Sequence, residues 1–146
     1  MTALAPDDRQ ELHDLKARYF RLLDTKRWDE WGEVFTDDAV LDVPEMGFCV
    51  EGREAIVAEV RKALADVVTV HHGHMGELER VDETHARGIW AMEDHVIWTP
   101  THTMHGYGHY VERYRRDEDA WRIEHSHLSR LHVETVKVRE YRRVSL

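Results

Sequence analysis

The spacing of hydrophobic positions changes once along the chain, near residue 68. Before this point apolar residues recur every three or four positions, and after it they alternate with polar ones. Residues 7–26 therefore predict a helix with one apolar stripe, formed by Leu12, Leu15, Tyr19, Leu22 and Leu23. We expect Asp7 or Asp8 to cap this helix, because acidic residues suit a helix N-terminus.

The rest of the first half predicts two shorter helices and one strand. Residues 28–35 indicate a short second helix, and the polar residues 36–38 indicate a turn. Residues 39–43 are typical of a short strand. Gly52 precedes residues 53–64, whose apolar positions again follow helical spacing and predict a third helix.

Long alternating segments fill the second half and predict four strands: 69–81, 84–98, 106–117 and 121–134. Polar residues at 81–84 and 116–119 indicate hairpin turns, and residues 99–106 a longer connection. Helices followed by a strand meander are typical of an α+β fold. We expect a cone-shaped, curved antiparallel sheet with the N-terminal helices packed on its concave face. Such a cone leaves room for a small-molecule pocket.

Composition narrows the class of protein. The chain has 146 residues, of which 42% are hydrophobic, enough for one buried core. We expect a single domain over residues 1–146, with a core at about 8–135 and a short basic tail at 136–146. The net charge of −9 argues against a nucleic-acid or anionic-membrane binder, which needs a basic surface.

Two further observations concern cysteine and hydropathy. The single cysteine, Cys49, excludes a disulfide framework within the chain and cysteine-rich metal sites. No stretch approaches the length of about 18 apolar residues typical of a membrane helix. These features predict a cytoplasmic protein.

Histidine provides the candidate chemistry, because three of the 12 histidines lie within four positions of the segment TVHHGHM (69–75). Side chains alternate along a strand, so His72 and His74 share one face and His71 takes the other. His125 and His127 form a second pair that shares a face. These pairs allow a metal-site interpretation, which requires that they converge on one ion. The plainer alternative is a histidine-rich sheet face or dimer interface.

A proton-transfer interpretation uses His71 instead. A neutral imidazole is an effective general base near neutral pH, and a carboxylate on its second nitrogen fixes its tautomer. Asp24 lies near the end of the helical stripe, where an inward carboxylate without a partner would be destabilising. The alternative is that Asp24 faces water and His71 is a packed strand residue.

Several segments in order resemble the SnoaL-like branch of the nuclear transport factor 2-like superfamily. They are RYFRLLDTKRWDEW, VFTDDAVLDV, GREAI, TVHHGHM and GYGHYVERYRRDEDAWRIEHSHLSRL, and together they span roughly residues 8–135. The superfamily includes dehydratases, dehydrochlorinases, isomerases, cyclases and non-catalytic binding domains. The resemblance therefore implies the fold more specifically than it implies a reaction.

The dehydratase and dehydrochlorinase members use a histidine base that an aspartate of the first helix orients. The matching residues in this sequence are His71 and Asp24. The segment TVHHGHMGELERVDETHARGI follows the dehydrochlorinase pattern without a gap, which places the base at His71 rather than His72. Tyr19 matches a tyrosine of the bile-acid dehydratase pattern and is implied to bind or protonate a departing oxygen.

The resemblance implies less for the remaining substrate contacts. Asp94 lies near a second aspartate of the bile-acid dehydratase pattern. The dehydrochlorinase arginine falls on Ser126, and the candidate in its place is Arg130, which has the same strand parity and lies four residues further on. Further candidates for walls of the pocket, or alternatively for core packing, are the large side chains Tyr110, Met92, Leu41 and Leu128.

These observations predict a cofactor-independent lyase or isomerase that acts on a small, largely apolar molecule in the cone. No metal, flavin or nucleotide is expected, and no phosphate-binding or nucleophile motif is present in the sequence. A homodimer through the sheet is expected. A non-catalytic binding domain of the same fold and a His-x-His metal protein are the alternatives.

Overall fold

A computed structural model describes residues 3–98, 102–137 and 144. Its helices are α1 (Pro6–Asp24), α2 (Trp28–Gly32) and α3 (Arg53–Leu64). Its strands are β1 (Phe35–Val43), β2 (Phe48–Glu51), β3 (Val68–Arg80), β4 (His85–Trp98), β5 (His102–Asp117) and β6 (Ala120–Lys137), and a 3₁₀ turn, Pro44–Met46, joins β1 to β2. The α+β class and the presence of three helices were predicted correctly, although α2 ends at Gly32 rather than at residue 35.

The six strands form one curved, open sheet in the order β2-β1-β6-β5-β4-β3. Neighbouring strands are antiparallel except β1 and β6, which are parallel. The sheet is therefore mixed, not purely antiparallel as the meander predicted. A parallel pairing requires a long crossover, and α3 together with β3–β5 supplies it. The helices cover the concave face of the sheet.

The strands differ from the prediction in several respects. Residues 36–38, predicted as a turn, lie within β1, where the pairing with β6 shifts register between Phe35 and Val40. β2 was not predicted, and it adds an edge strand that pairs with the second half of β1. β5 begins at His102, so most of the predicted connection at 99–106 is strand, and residues 99–101 lie outside the described residues.

The predicted capping of α1 was wrong, because the helix begins at Pro6 and no side chain caps it. Proline suits the first helical position since it lacks the N–H that would remain unpaired there. Asp8 instead bonds to β5 and β6, accepting hydrogen bonds from Arg116 and from Nε1 of Trp121. The predicted basic tail at 136–146 overlaps β6, which continues to Lys137. Beyond Lys137 only residue 144 is among the described residues.

An ion pair within the core joins α1 to the centre of the sheet. Nζ of Lys16 lies 2.6 Å from Oε1 of Glu112 on β5, and the two side chains are 1% and 0% exposed. Glu112 also accepts hydrogen bonds from Ser126 at 2.8 Å and from Tyr114 at 2.5 Å. Tyr114 in turn accepts one from Nε1 of Trp90. Every oxygen of the buried carboxylate thus has a donor, which offsets the loss of hydration.

We expect Lys16→Met to destabilise the protein by about 3–5 kcal/mol, since it leaves Glu112 buried without its cation. The double variant Lys16→Met/Glu112→Gln should recover most of this loss, because a neutral amide still serves Tyr114 and Ser126. Chemical denaturation measures both free energies of unfolding. Lys62→Met, at an exposed position of α3, is the matched control. A single variant that is as stable as this control would contradict the structural role of the pair.

Candidate active site

The concave face encloses a cavity of about 170 Å³ between the helices and the sheet. Apolar side chains form most of its wall, among them Leu23, Trp31, Leu41, Val43, Met104 and Leu128. Polar groups converge on it from three sources: Tyr19 of α1, His71 of β3, and Asp94, Tyr110 and Arg130 of the remaining long strands. Apolar walls with a few convergent polar groups are typical of small-molecule sites.

Asp24 and His71 are in direct contact where α1 ends against β3. Nδ1 of His71 lies 2.6 Å from Oδ1 of Asp24, and the backbone N–H of His71 donates to Oδ2 at 2.8 Å. The hydroxyl of Thr69 donates to Oδ1 at 2.9 Å. An aspartate at a helix C-terminus faces the negative end of the helix dipole, so these donors compensate for an unfavourable position.

The contact determines which ring nitrogen of His71 carries the proton. An ionised carboxylate only accepts hydrogen bonds, so Nδ1 must be the donor. In the neutral ring the lone pair then resides on Nε2. Because the ring lines the cavity and Nδ1 faces Asp24, Nε2 is the nitrogen available to a ligand.

Surrounding residues hold this pair in place. Lys26 donates from Nζ to the hydroxyl of Thr69 at 2.9 Å, which orients that hydroxyl toward Asp24. The ring of Phe20 lies parallel to the His71 ring, with an interplanar angle of 11° and centroids 6.4 Å apart. Phe20 reaches this position over Gly73, where an added Cβ would lie 2.5 Å from the Phe20 ring. The glycine of TVHHGHM thus leaves space for the residue that flanks the histidine.

Asp94 and Arg130 form a second buried pair opposite His71. Asp94 is the cross-strand partner of His71, and Arg130 reaches it from β6 across β5. The guanidinium donates to both carboxylate oxygens, from Nε to Oδ1 at 3.3 Å and from Nη2 to Oδ2. Gly106 of β5 lies beneath the pair and has no side chain to obstruct it. Nη1 donates to Glu45 of the 3₁₀ turn.

Burial shifts the pKa values of the tyrosines at the base of the cavity. Desolvation, followed by the negative charge of Glu112, raises the pKa of Tyr19 well above its usual value, although a hydrogen bond with Tyr110 opposes this. Desolvation likewise raises the pKa of Tyr110. Nζ of Lys16 lies 4.1 Å and 3.6 Å from the centroids of these two rings. Both hydroxyls therefore remain protonated donors at neutral pH.

The structure brings most of the predicted site residues together. Tyr19, His71, Asp94, Tyr110, Arg130, Leu41 and Leu128 line the cavity, with Asp24 directly behind His71. Met92 does not line it. This side chain is 3% exposed and belongs to the core.

Sequence reasoning missed Glu45, Thr69, Phe20 and Lys16. Lys16 had a detectable signal, since it lies four residues after Leu12 and three before Tyr19, within the apolar stripe. Glu45 had none, because its contact with Arg130 joins residues 85 positions apart.

The other two histidines of the segment TVHHGHM lie on the convex face. His72 and His74 approach Glu93 at 3.3 Å and 3.6 Å, and His105 approaches it at 3.5 Å. Burial, and next the charge of the neighbouring His105, lower the pKa of His95.

The strand order separates the two His-x-His pairs. His125 and His127 lie on β6, and β4 and β5 intervene between β6 and β3. Over the part of the chain that the structure describes, no group of three or more histidine, cysteine or acidic side chains is arranged to hold a metal ion. The two pairs therefore do not meet at one site. The expected dimer through the sheet stays a prediction.

Comparison with known proteins places the chain in a family. The sequence model of the SnoaL-like domain matches residues 5–127. The chain belongs to the SnoaL-like domain family. This SnoaL-like domain is 23% identical over 150 residues to a Gibberella zeae protein named "Probable cyclase FGR4", and the alignment covers 93% of the chain and 99% of that protein.

Solved structures share the fold. The SnoaL-like domain resembles a scytalone dehydratase-like protein from Novosphingobium aromaticivorans, with a TM-score of 0.79, 20% identity, and coverage of 90% of this chain and 89% of that one. It also resembles hexachlorocyclohexane dehydrochlorinase LinA-type3 from Novosphingobium barchaimii, with a TM-score of 0.78, 17% identity and 96% coverage of each chain. Likeness at such identities establishes the fold alone. None of the helices in the described ranges has the length and hydropathy needed to span a membrane.

We expect Gly106→Ala to disturb the Asp94–Arg130 pair. The added Cβ would lie 2.7 Å from Nε of Arg130 and closer still to Oδ1 of Asp94, so one of them must move. Overpacking of this kind costs about 1–3 kcal/mol. Thermal denaturation measures the loss, with Ser129→Ala at an exposed position of β6 as the control. An unchanged melting temperature with an intact ion pair would refute the steric argument.

We expect Tyr19, Tyr110 and Tyr114 to resist ionisation until the protein unfolds. Burial raises the pKa of all three in the folded state. Above about pH 10, the usual value, the unfolded chain releases protons that the folded one retains, so the free energy of unfolding decreases with rising pH. Phenolate absorbance and circular dichroism, followed in one alkaline titration, should change together for these residues. Tyr107→Phe removes the contribution of an exposed tyrosine. Phenolate formation by the buried three in folded protein would contradict this expectation.

Proposed function

We propose that this protein is a cofactor-independent lyase or isomerase in which His71 removes a proton from carbon and Asp24 orients it. The observation that supports this most directly is the 2.6 Å contact between Nδ1 of His71 and Oδ1 of Asp24, made by a ring that lines an apolar cavity. A carboxylate on one ring nitrogen leaves the other as the base and stabilises the imidazolium that forms.

In an elimination, Nε2 of His71 takes the proton from a C–H bond. The electron pair of that bond forms the new double bond, and the bond from the neighbouring carbon to its leaving group breaks. In an isomerisation the imidazolium returns the same proton to a different carbon. Both reactions need one base that can also act as an acid, and the Asp24–His71 pair supplies that chemistry.

A departing or developing oxyanion would be bound by Tyr19. Since burial raises the pKa of Tyr19, its hydroxyl is better suited to donate a hydrogen bond than to give up its proton. The proton that completes a departing water then comes from the imidazolium of His71. Tyr110, which hydrogen-bonds Tyr19, aligns this donor.

The cavity favours a small and largely apolar substrate. Its volume of about 170 Å³ is close to that of an engineered protein cavity of about 150 Å³ that binds benzene. Scytalone and hexachlorocyclohexane isomers, the compounds that the names of the structural neighbours contain, are the starting panel for activity screening.

We expect His71→Gln and Asp24→Asn each to lower turnover by about 10²–10⁴-fold, the usual contribution of a general base. His72→Gln is the matched control, because it is the adjacent histidine, lies on the convex face, and has a side chain that is 59% exposed. Turnover and solvent-deuterium incorporation into substrate are the measurements, with circular dichroism to verify folding.

The outcome separates a catalytic protein from a binding domain without catalysis. Full activity in folded His71→Gln would show that the proton goes elsewhere and would overturn the mechanism. Ligand binding that survives His71→Gln, with neither turnover nor deuterium exchange in the wild type, would instead indicate a non-catalytic binding domain.

A further inference from the structure

Among the described residues that line the cavity, Arg130 is the cationic side chain. Its guanidinium already donates hydrogen bonds to two carboxylates. Nε and Nη2 donate to Asp94, and Nη1 donates to Glu45. The side chain of Arg130 is 6% exposed, so it is almost removed from water. Burial is the largest single effect on the pKa of Arg130 and lowers it, but the hydrogen bonds and charges of Asp94 and then Glu45 together raise it, which keeps the guanidinium charged.

The two carboxylates differ in how firmly they are held. Asp94 is 1% exposed and lies in the middle of β4, paired on both sides by neighbouring strands. Glu45 is 36% exposed and belongs to the three-residue 3₁₀ turn Pro44–Met46, which ends at Gly47 with a φ of 63°. Of the two, Glu45 is the partner that can be removed without opening the sheet.

The turn that carries Glu45 also borders the cavity. Met46 and Phe48, on either side of Gly47, both line it. Glu45 therefore meets Arg130 beside the cavity and occupies Nη1, the nitrogen that Asp94 leaves for an anionic ligand. Asp94 opposes the same guanidinium, and Asp24 adds a third carboxylate behind His71. A charged group that enters an apolar site without a free partner is strongly disfavoured.

We infer that Glu45 determines the charge specificity of the site: by occupying Arg130 it restricts the cavity to uncharged ligands, and its removal converts Arg130 into a carboxylate-binding group. The inference rests on the proposed use of the cavity as the substrate pocket, but not on proton transfer by His71. The inference narrows the substrate to a neutral molecule. The hydroxyls of Tyr19 and Tyr110 and the imidazole of His71 remain as hydrogen-bonding partners for its polar group.

The test compares two probes that differ in charge and share one aromatic ring, benzyl alcohol and benzoate. Their dissociation constants are measured near pH 7.5 by isothermal titration calorimetry, with the fluorescence of Trp31 and Trp98, which line the cavity, as a second readout. The proteins are the wild type, Glu45→Gln, Glu45→Ala and the control Glu51→Gln. Glu51 is an exposed acidic residue at the end of β2. Thermal denaturation verifies that each variant is folded.

In the wild type and in Glu51→Gln we expect benzyl alcohol to bind more tightly than benzoate. In Glu45→Gln the affinity for benzoate should rise by about ten- to hundredfold, the value of a hydrogen bond to a charged group, while that for benzyl alcohol stays within about threefold. Glu45→Ala should change affinity in the same direction.

The inference would be overturned if the ratio of the benzoate and benzyl alcohol dissociation constants were the same in the wild type and in both folded Glu45 variants. It would also be overturned if neither probe bound to any of the proteins. This result is distinguishable from failure of the proposed function. A mechanism without His71 would appear as retained turnover in His71→Gln and would leave the effect of Glu45 on probe affinity unchanged.

Discussion

The position of α1 on the sheet depends on the ion pair between Lys16 and Glu112, which lies where water does not reach. A buried pair of this kind contributes little net stability compared with apolar packing, but it penalises every arrangement that separates its members. The helix is thereby fixed at its middle by Lys16 and at its C-terminal end by Asp24. Because Tyr19 lies between these two points, its place in the cavity follows from them. The site is built on a helix that has little freedom to slide.

Two aspartates at or next to the cavity have different partners. Asp24 accepts from the backbone and ring of His71 and from Thr69, whereas Asp94 is paired with a guanidinium. The first arrangement leaves a basic nitrogen exposed to a ligand. The second pairs both oxygens of the carboxylate with the guanidinium. The hydrogen-bond donors around each aspartate therefore differ: an imidazole and a backbone N–H at Asp24, and a guanidinium at Asp94.

Sequence periodicity predicted much of this architecture, because α1 and the four long strands bury one face each. Alternation along β3 separated His71 from His72 correctly, and the resemblance to the SnoaL-like branch suggested Asp24. The parallel pairing of β1 with β6 had no local signal, since it depends on how the chain returns after α3. For the same reason the position of Glu45 against Arg130 could not be foreseen. The fold was thus more accessible from the sequence than the contacts between distant segments.

The alternation along β3 also has an evolutionary consequence. Within TVHHGHM the inward positions hold Thr69, His71 and Gly73, and each contacts α1. Thr69 and His71 bond to Asp24, and Gly73 packs against Phe20. Loss or gain of one residue before this segment would exchange the faces, turning His72 inward and His71 outward. A histidine would still point into the cavity, but Thr69 and Gly73 would be replaced there by larger or differently shaped neighbours. A single-residue insertion or deletion before this segment therefore changes the cavity wall far more than a substitution does, unless a bulge such as the one between His74 and Gly76 absorbs it.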